Sequence, residues 1–201
     1  MNRQEQMALQ PTGHVAANEE RWIELSCRVE ACSDCPLRVT CQQTVLGEGA
    51  RAARIMLVGE APGAKEDQTG RPFVGAAGAL LDAILSAADY SRSEVYITNV
   101  VKCRPPANRL PKPAEVRTCL HFLTEQITLV DPVLIVCLGA LATRTLLDPS
   151  AAITRVRGTS YQKDGRHIIP TFHPAALLRD PHKKRPVWED MQLVKRLDEV
   201  M

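Results

Sequence analysis

The chain has 201 residues, 45% of them hydrophobic and 24% charged, with a formal net charge of +2. Such a composition belongs to an ordinary soluble protein with room for one good core. No apolar run reaches membrane-spanning length, and the first twenty residues hold no apolar segment resembling a signal peptide, so a cytoplasmic, non-membrane location is expected. In that compartment the seven cysteines are reduced thiols, metal ligands or buried small hydrophobes rather than a disulfide framework. Charge is distributed unevenly: residues 1–100 balance to −4 and residues 101–201 to +6. Two local runs account for most of it, Lys102, Arg104, Arg109, Lys112, Arg117 and then Arg179, Lys183, Lys184, Arg185, and they fit a polyanionic partner.

Residues 1–15 lack periodicity and are expected to form a mobile tail, leaving 16–201 as a single domain. A helix is predicted from Ala16 to Glu30, followed by a cysteine-dense segment running from Cys27 to Cys41. A first buried strand, 54–58, ends at Gly59-Glu60-Ala61-Pro62-Gly63, where Gly and Pro stop the strand and bring bare backbone to the surface. After Arg71-Pro72-Phe73-Val74-Gly75, the spacing of Leu80, Leu81, Ile84, Leu85 and Ala88 predicts a helix. The second strand, 95–101, leads into the Pro-rich loop Cys103–Pro113. A helix over 113–129 follows, with Pro113 suited to its first turn. Residues 133–138 form the most hydrophobic strand, Gly139 turns into a helix over 140–147, and an edge hairpin is expected around Asp164-Gly165. The fourth strand, 166–172, contains Pro170, which argues for an edge or bulged position. His173-Pro174 opens a short helix, and a final amphipathic helix covers 188–200. Strands alternating with helices predict an α/β fold, a three-layer α/β/α sandwich around a four-stranded parallel sheet.

In a parallel sheet the carboxyl ends of the strands share one edge, where ligands bind. Here that edge carries Gly59-Glu60, Asn99, Gly139 and His173, with Phe73 nearby. Singly, an asparagine at a strand end caps a turn, a His-Pro starts a helix and a phenylalanine fills a core. Together they form a set that can bind a nucleobase. The amide pairs with its donor–acceptor edge, the ring stacks on its face, the imidazole stabilises an anionic leaving group, and the carboxylate orients water.

Cys32-x-x-Cys35 has ligand spacing, and Pro36 follows it as in a tight metal-binding turn. Cys103 and Cys119 complete one set of four. Cys27, Cys32, Cys35 and Cys41 form a rival, ferredoxin-like set, and spacing does not choose between zinc and iron–sulfur. Cys137, inside an apolar strand, is read as a core thiol.

The segments GEAPGAKEDQTGRPFVGAAGALLD, ITNVVKCRPPANR, Cys119, VCLGALAT and TFHPAALLR, in unbroken order from about Cys32 to Arg179, resemble the iron–sulfur (family 4) uracil-DNA glycosylases. The resemblance implies a monofunctional DNA repair enzyme, a monomer that excises uracil from single- or double-stranded DNA and leaves an abasic site. It implies a [4Fe-4S] cluster on Cys32, Cys35, Cys103 and Cys119, pinning the Pro-rich loop beside DNA. It further implies that Glu60 positions water, and that Glu66 shares that work or fills the space a thymine methyl would need. Gly59 and Ala61 line the uracil pocket, Phe73 stacks on the base, Asn99 reads its edge, and His173 faces the oxygen that gains charge. Lys102, Arg104 and Arg109 are implied DNA contacts, and Leu177, Leu178 and Arg179 the wedge that enters the duplex. Two departures stand out: Ala175 replaces the more usual Ser after His-Pro, and residues 104–118 contain no His, which favours turnover over self-crosslinking to DNA. Two alternatives stand beside this reading: a non-catalytic binder of damaged or single-stranded DNA, and a structural zinc-binding protein.

Overall fold

The computed structural model describes residues 13–201, with side chains from residue 18 onward. Of the expected tail, residues 1–12 lie outside the described residues, and 13–15 already belong to the first helix. In chain order the strands are β1 (Glu48–Gly49), β2 (Ile55–Gly59), β3 (Tyr96–Asn99), β4 (Leu134–Leu138), β5 (Tyr161–Lys163) and β6 (Arg166–Thr171). The helices are α1 (Gly13–Ala31), α2 (Leu37–Thr40), α3 (Ala64–Thr69), α4 (Ala76–Ala87), α5 (Pro113–Val130), α6 (Ala140–Leu146), α7 (Ile153–Val156), α8 (Pro174–Arg179) and α9 (Lys184–Val200).

The sheet order is β1-β3-β2-β4-β6-β5. The four expected strands are parallel to one another, but the sheet has six strands: β1 and β5 pair antiparallel on its two edges. These additions have two and three residues, too short to carry any periodicity. β5 and β6 form the hairpin expected at Asp164-Gly165. Its consequence is that β6 is not an edge strand, despite Pro170. Along β6 the His167 N–H donates toward β4, whereas the Pro170 carbonyl accepts from Gly158 on the opposite side, at 3.2 Å. The N–H that Pro170 lacks would therefore face β5, whose pairing has already ended at Ile168.

β2, β3 and β4 are buried at every position, as strands covered on both faces must be. Alternation sends Met56, Val58, Ile135 and Cys137 into one core with Trp22 and Leu25 of α1 and Phe122 and Leu123 of α5. Ile55, Leu57, Val136 and Leu138 enter the other core with Leu81 and Leu85 of α4, Leu177 of α8, and Val187, Met191 and Val194 of α9. Each such side chain contributes roughly 1.5–3 kcal/mol by leaving water. α9 begins at Lys184, four residues before the expected start, with Pro186 tolerated in its first turn.

α9 is pinned to the end of β6 by one buried carboxylate. Asp190, 1% exposed, accepts from Thr171 Oγ1 at 2.5 Å and from the Arg157 guanidinium. Asp190→Ala leaves the Arg157 cation without its partner, at a cost of ~3 kcal/mol. That corresponds to a fall in Tm of roughly 6–12 °C for a chain of this size, measurable by thermal unfolding.

Candidate active site

The carboxyl ends of the parallel strands open onto a cavity of about 540 Å³, lined among others by Glu60, Ala61, Glu66, Phe73, Asn99 and His173. The β2–β3 register pairs Gly59 directly with Asn99. A Cβ on Gly59 would lie 2.3 Å from Asn99 Oδ1 and 2.6 Å from Phe73 Cζ, so only glycine lets the amide and the ring reach this edge. Gly139, with φ +95°, has the same relation to the next strand: a Cβ there would meet His173 Cβ at 2.9 Å. The Phe73 and His173 rings are stacked with centroids 5.6 Å apart and planes 29° from parallel.

Phe73 is held in a left-handed conformation, φ +51°, unusual for a bulky residue. Its surroundings impose this. Arg92 donates to Phe73 O at 3.1 Å and also to Pro72 O, while its Nε donates to Glu48 at 2.9 Å. Hydrogen bonds from Arg71, with help from Arg92, hold the Glu48 carboxyl down at about 2. Gly78 packs so tightly beneath that a Cβ would meet Phe73 O at 1.9 Å. Glu66 adds a third tie: its Oε1 accepts from the N–H groups of Val74 and Gly75, both at 2.8 Å. The sequence reading missed Arg92 altogether, because nothing in an exposed-looking Ser-Arg-Ser links it to a turn twenty residues earlier.

The polar groups in the cavity have distinct electrostatic states. Asn99 is 1% exposed, yet its Oδ1 has no partner among the described residues. An orphaned buried acceptor demands an explanation, and a ligand N–H supplies one. His173 Nδ1 accepts from the Ala175 N–H at 3.1 Å, which leaves the proton of the neutral ring on Nε2. Burial, aided by the Arg179 charge and opposed by Glu66, lowers the imidazole pKa to about 4. The ring is thus a neutral hydrogen-bond donor at neutral pH. Burial raises the Glu60 carboxyl above its ordinary value, against the pull of Arg144 and Arg179. Arg144, on α6, is a second cation at this mouth that the sequence reading did not single out.

Two expected DNA contacts are corrected. Lys102 is 1% exposed and its ammonium is bonded internally, so it cannot reach a phosphate. Burial brings that ammonium down to about 7, with the neighbouring Cys119 sulfur opposing. Leu177 is 1% exposed and belongs to the core under α4, so it cannot enter a duplex. Leu178 beside it is 51% exposed, and Arg179 is exposed at the cavity rim. Arg104 and Arg109 are partly exposed in the Pro-rich loop. Arg109 forks onto Glu115 at 2.7 and 2.9 Å, tying the loop to the start of α5.

Beside this site a second, small and mostly apolar cavity is lined by Cys32, Cys35, Cys103 and Cys119. Cys27 is exposed, Cys41 lies beside Cys103 without lining the cavity, and Cys137 is in the core. Among the described residues no group of three His, Cys, Asp or Glu side chains converges on a point that would hold a single metal ion. One tetrahedral zinc would draw its sulfurs to roughly 3.8 Å from each other. The four thiols that line this cavity are a donor set suited to a thiophilic metal centre. Burial raises the pKa of Cys32, Cys103 and Cys119 above that of an ordinary thiol.

A family model described as Uracil DNA glycosylase superfamily matches residues 46–192. A type-4 uracil-DNA glycosylase of Thermotoga maritima is 47% identical over 88% of this chain and 94% of its own length. One of Pyrobaculum aerophilum is 42% identical over 82% and 88%. A type-5 uracil-DNA glycosylase of the same organism is 39% identical over 62% of each chain. The chain therefore belongs to the uracil DNA glycosylase superfamily. Within it, the chain falls with the type-4 uracil-DNA glycosylases.

The state of His173 is directly measurable. In an NMR titration of the five histidines, one imidazole should keep the Nε2–H tautomer and protonate near pH 4. Because an unfolded imidazole takes its proton near 6.5, this group's contribution to stability is complete above that pH and is lost as pH falls toward 4. A midpoint near 6.5 would contradict the neutral assignment.

Proposed function

We propose that this chain excises uracil from DNA by hydrolysing its N-glycosidic bond, working as a monomer and leaving an abasic site. The observation that carries the proposal is the unpartnered, buried Oδ1 of Asn99, lining a cavity it shares with a neutral His173. Uracil presents an N–H flanked by two carbonyls. Asn99 Oδ1 accepts from that N–H and its amide nitrogen donates to the adjacent carbonyl; cytosine, with an acceptor at the ring nitrogen and an amine in place of that carbonyl, leaves both groups unpaired. Phe73 stacks on the extruded base. As the bond to the sugar breaks, its electron pair passes to the base, and His173 Nε2–H donates to the carbonyl oxygen that gains the charge. Water, positioned by the Glu60 carboxylate that also faces the positive charge developing on the sugar, adds to the sugar carbon and gives up a proton to that carboxylate. Glu66 serves by holding the Phe73 turn through Val74 and Gly75, and Gly59 and Ala61 keep the cavity wall free of bulk.

The DNA face in this reading comprises Arg104, Arg109 and Arg179 for the backbone and Leu178 for the gap left by the extruded nucleotide. Cys32, Cys35, Cys103 and Cys119 would hold a [4Fe-4S] cluster, which supplies a covalent cross-link between the N-terminal segment, the loop after β3 and α5. The Arg109–Glu115 pair holds the loop 104–112 to α5, and the cluster would add a second tie. No helix among the described residues is long and apolar enough to cross a membrane.

The deciding experiment incubates the protein with a uracil-containing oligonucleotide, cleaves abasic sites with alkali, and records iron content and visible absorption of the same sample. Uracil-dependent strand scission and an iron-bearing, coloured protein are expected. A zinc-bearing, colourless protein without scission would favour a structural protein, and tight binding without scission a non-catalytic binder. His173→Ala should slow bond cleavage by roughly 10²–10³-fold while leaving DNA affinity nearly intact. Asn99→Asp should lose at least ~10²-fold, because a carboxylate repels the forming anion. Affinity should fall steeply with salt, with a smaller slope in Arg179→Ala.

A further inference from the structure

Lys102 is among the largest fully enclosed side chains, and every acceptor around its ammonium is neutral. Asn99 O lies at 2.7 Å, Thr98 Oγ1 at 2.9 Å and Gln126 Oε1 at 2.5 Å. Gln126 is itself fixed by donating to Leu46 O at 2.8 Å and to Tyr96 Oη at 2.9 Å. A buried cation facing only dipoles is costly, and a methionine would fill the same space without that cost. On its other side the Lys102 main-chain N–H donates to Cys119 Sγ at 3.3 Å, and the residue lines the four-cysteine cavity. Lys102 thus touches the residue that reads the base and a residue that holds the centre.

We propose that Lys102 is a positioning residue for Asn99, whose main-chain carbonyl its ammonium fixes. The inference rests on the reading of Asn99 as the uracil-pairing amide. Asn99 is the last residue of β3, where the ladder ends and the chain turns, so sheet hydrogen bonds alone do not hold its carbonyl. A rotation of that peptide would swing the Asn99 side chain, and a paired recognition site tolerates only about 10–20° of misalignment.

The test uses Lys102→Met in the iron-loaded protein. Three quantities are measured: inhibition of excision by free uracil, which reports the base pocket; affinity for a duplex bearing an abasic-site analogue, which leaves that pocket empty; and visible absorption. The inhibition constant for uracil should rise about tenfold, the worth of one hydrogen bond, with abasic-site affinity within about twofold of the parent and the absorption band kept. Thr98→Val, which leaves the bond to Asn99 O in place, should bind uracil as the parent does. An unchanged uracil constant in folded, iron-loaded Lys102→Met overturns the proposal, as does an equal loss of both affinities, the mark of general loosening. If Lys102→Met is insoluble, the same measurements on Lys102→Gln decide. A parent protein that neither excises uracil nor is inhibited by it would instead remove the pocket reading on which the proposal rests.

Discussion

The parallel register of β2 against β3 sets Gly59 beside Asn99, and the rest of the site follows from what that pairing permits. A side chain at position 59 would occupy the space in which the Asn99 amide and the Phe73 ring sit. The arrangement recurs one strand over, where Gly139 leaves room for the His173 side chain. Because all four central strands run the same way, these openings face one edge, and the groups that emerge there must meet. A slip of one residue in either ladder would turn Asn99 or His173 away from the cavity.

Several features of this edge oppose folding taken by themselves. A buried amide oxygen without a partner costs about 1–3 kcal/mol, and a bulky residue in the left-handed region costs a similar amount. An imidazole kept neutral far below its ordinary pKa and a lysine enclosed among dipoles add to that. The two apolar cores offset these costs, and local ties make each strained group rigid: Arg92, Gly78 and Glu66 around Phe73, the Ala175 N–H against His173, and Gln126 behind Lys102. A site held this way loses little further freedom when it closes on a base, so more of the interaction is available for the reacting atoms.

The parts legible in the sequence were those governed by strong periodicity and strand polarity. The four central strands, the long helices, and the convergence of Glu60, Asn99, His173 and Phe73 on one edge all rest on apolar runs and on the residues that end them. Lys102 and Leu177 were misplaced for a common reason. Lys102 lies just past β3 and Leu177 within the six-residue α8, and in both places burial depends on tertiary contacts that no local pattern encodes. Of the adjacent leucines 177 and 178 on a six-residue helix, one faces the core and the other solvent, and period alone does not say which. Among the cysteines, spacing left two sets of four. The sets differ in Cys103 and Cys119, which are brought to Cys32 and Cys35 only by the path of the chain after β3 and along α5.

The most direct test of the account follows the side-chain amide of Asn99 and the imidazole N–H of His173 by nitrogen-edited NMR while free uracil is added to the folded, metal-loaded protein. The account predicts that one asparagine side-chain amide pair and one histidine Nε2–H shift together, with a common dissociation constant, and that thymine fails to produce the change. Uracil-dependent excision with both signals unmoved by the free base would contradict it.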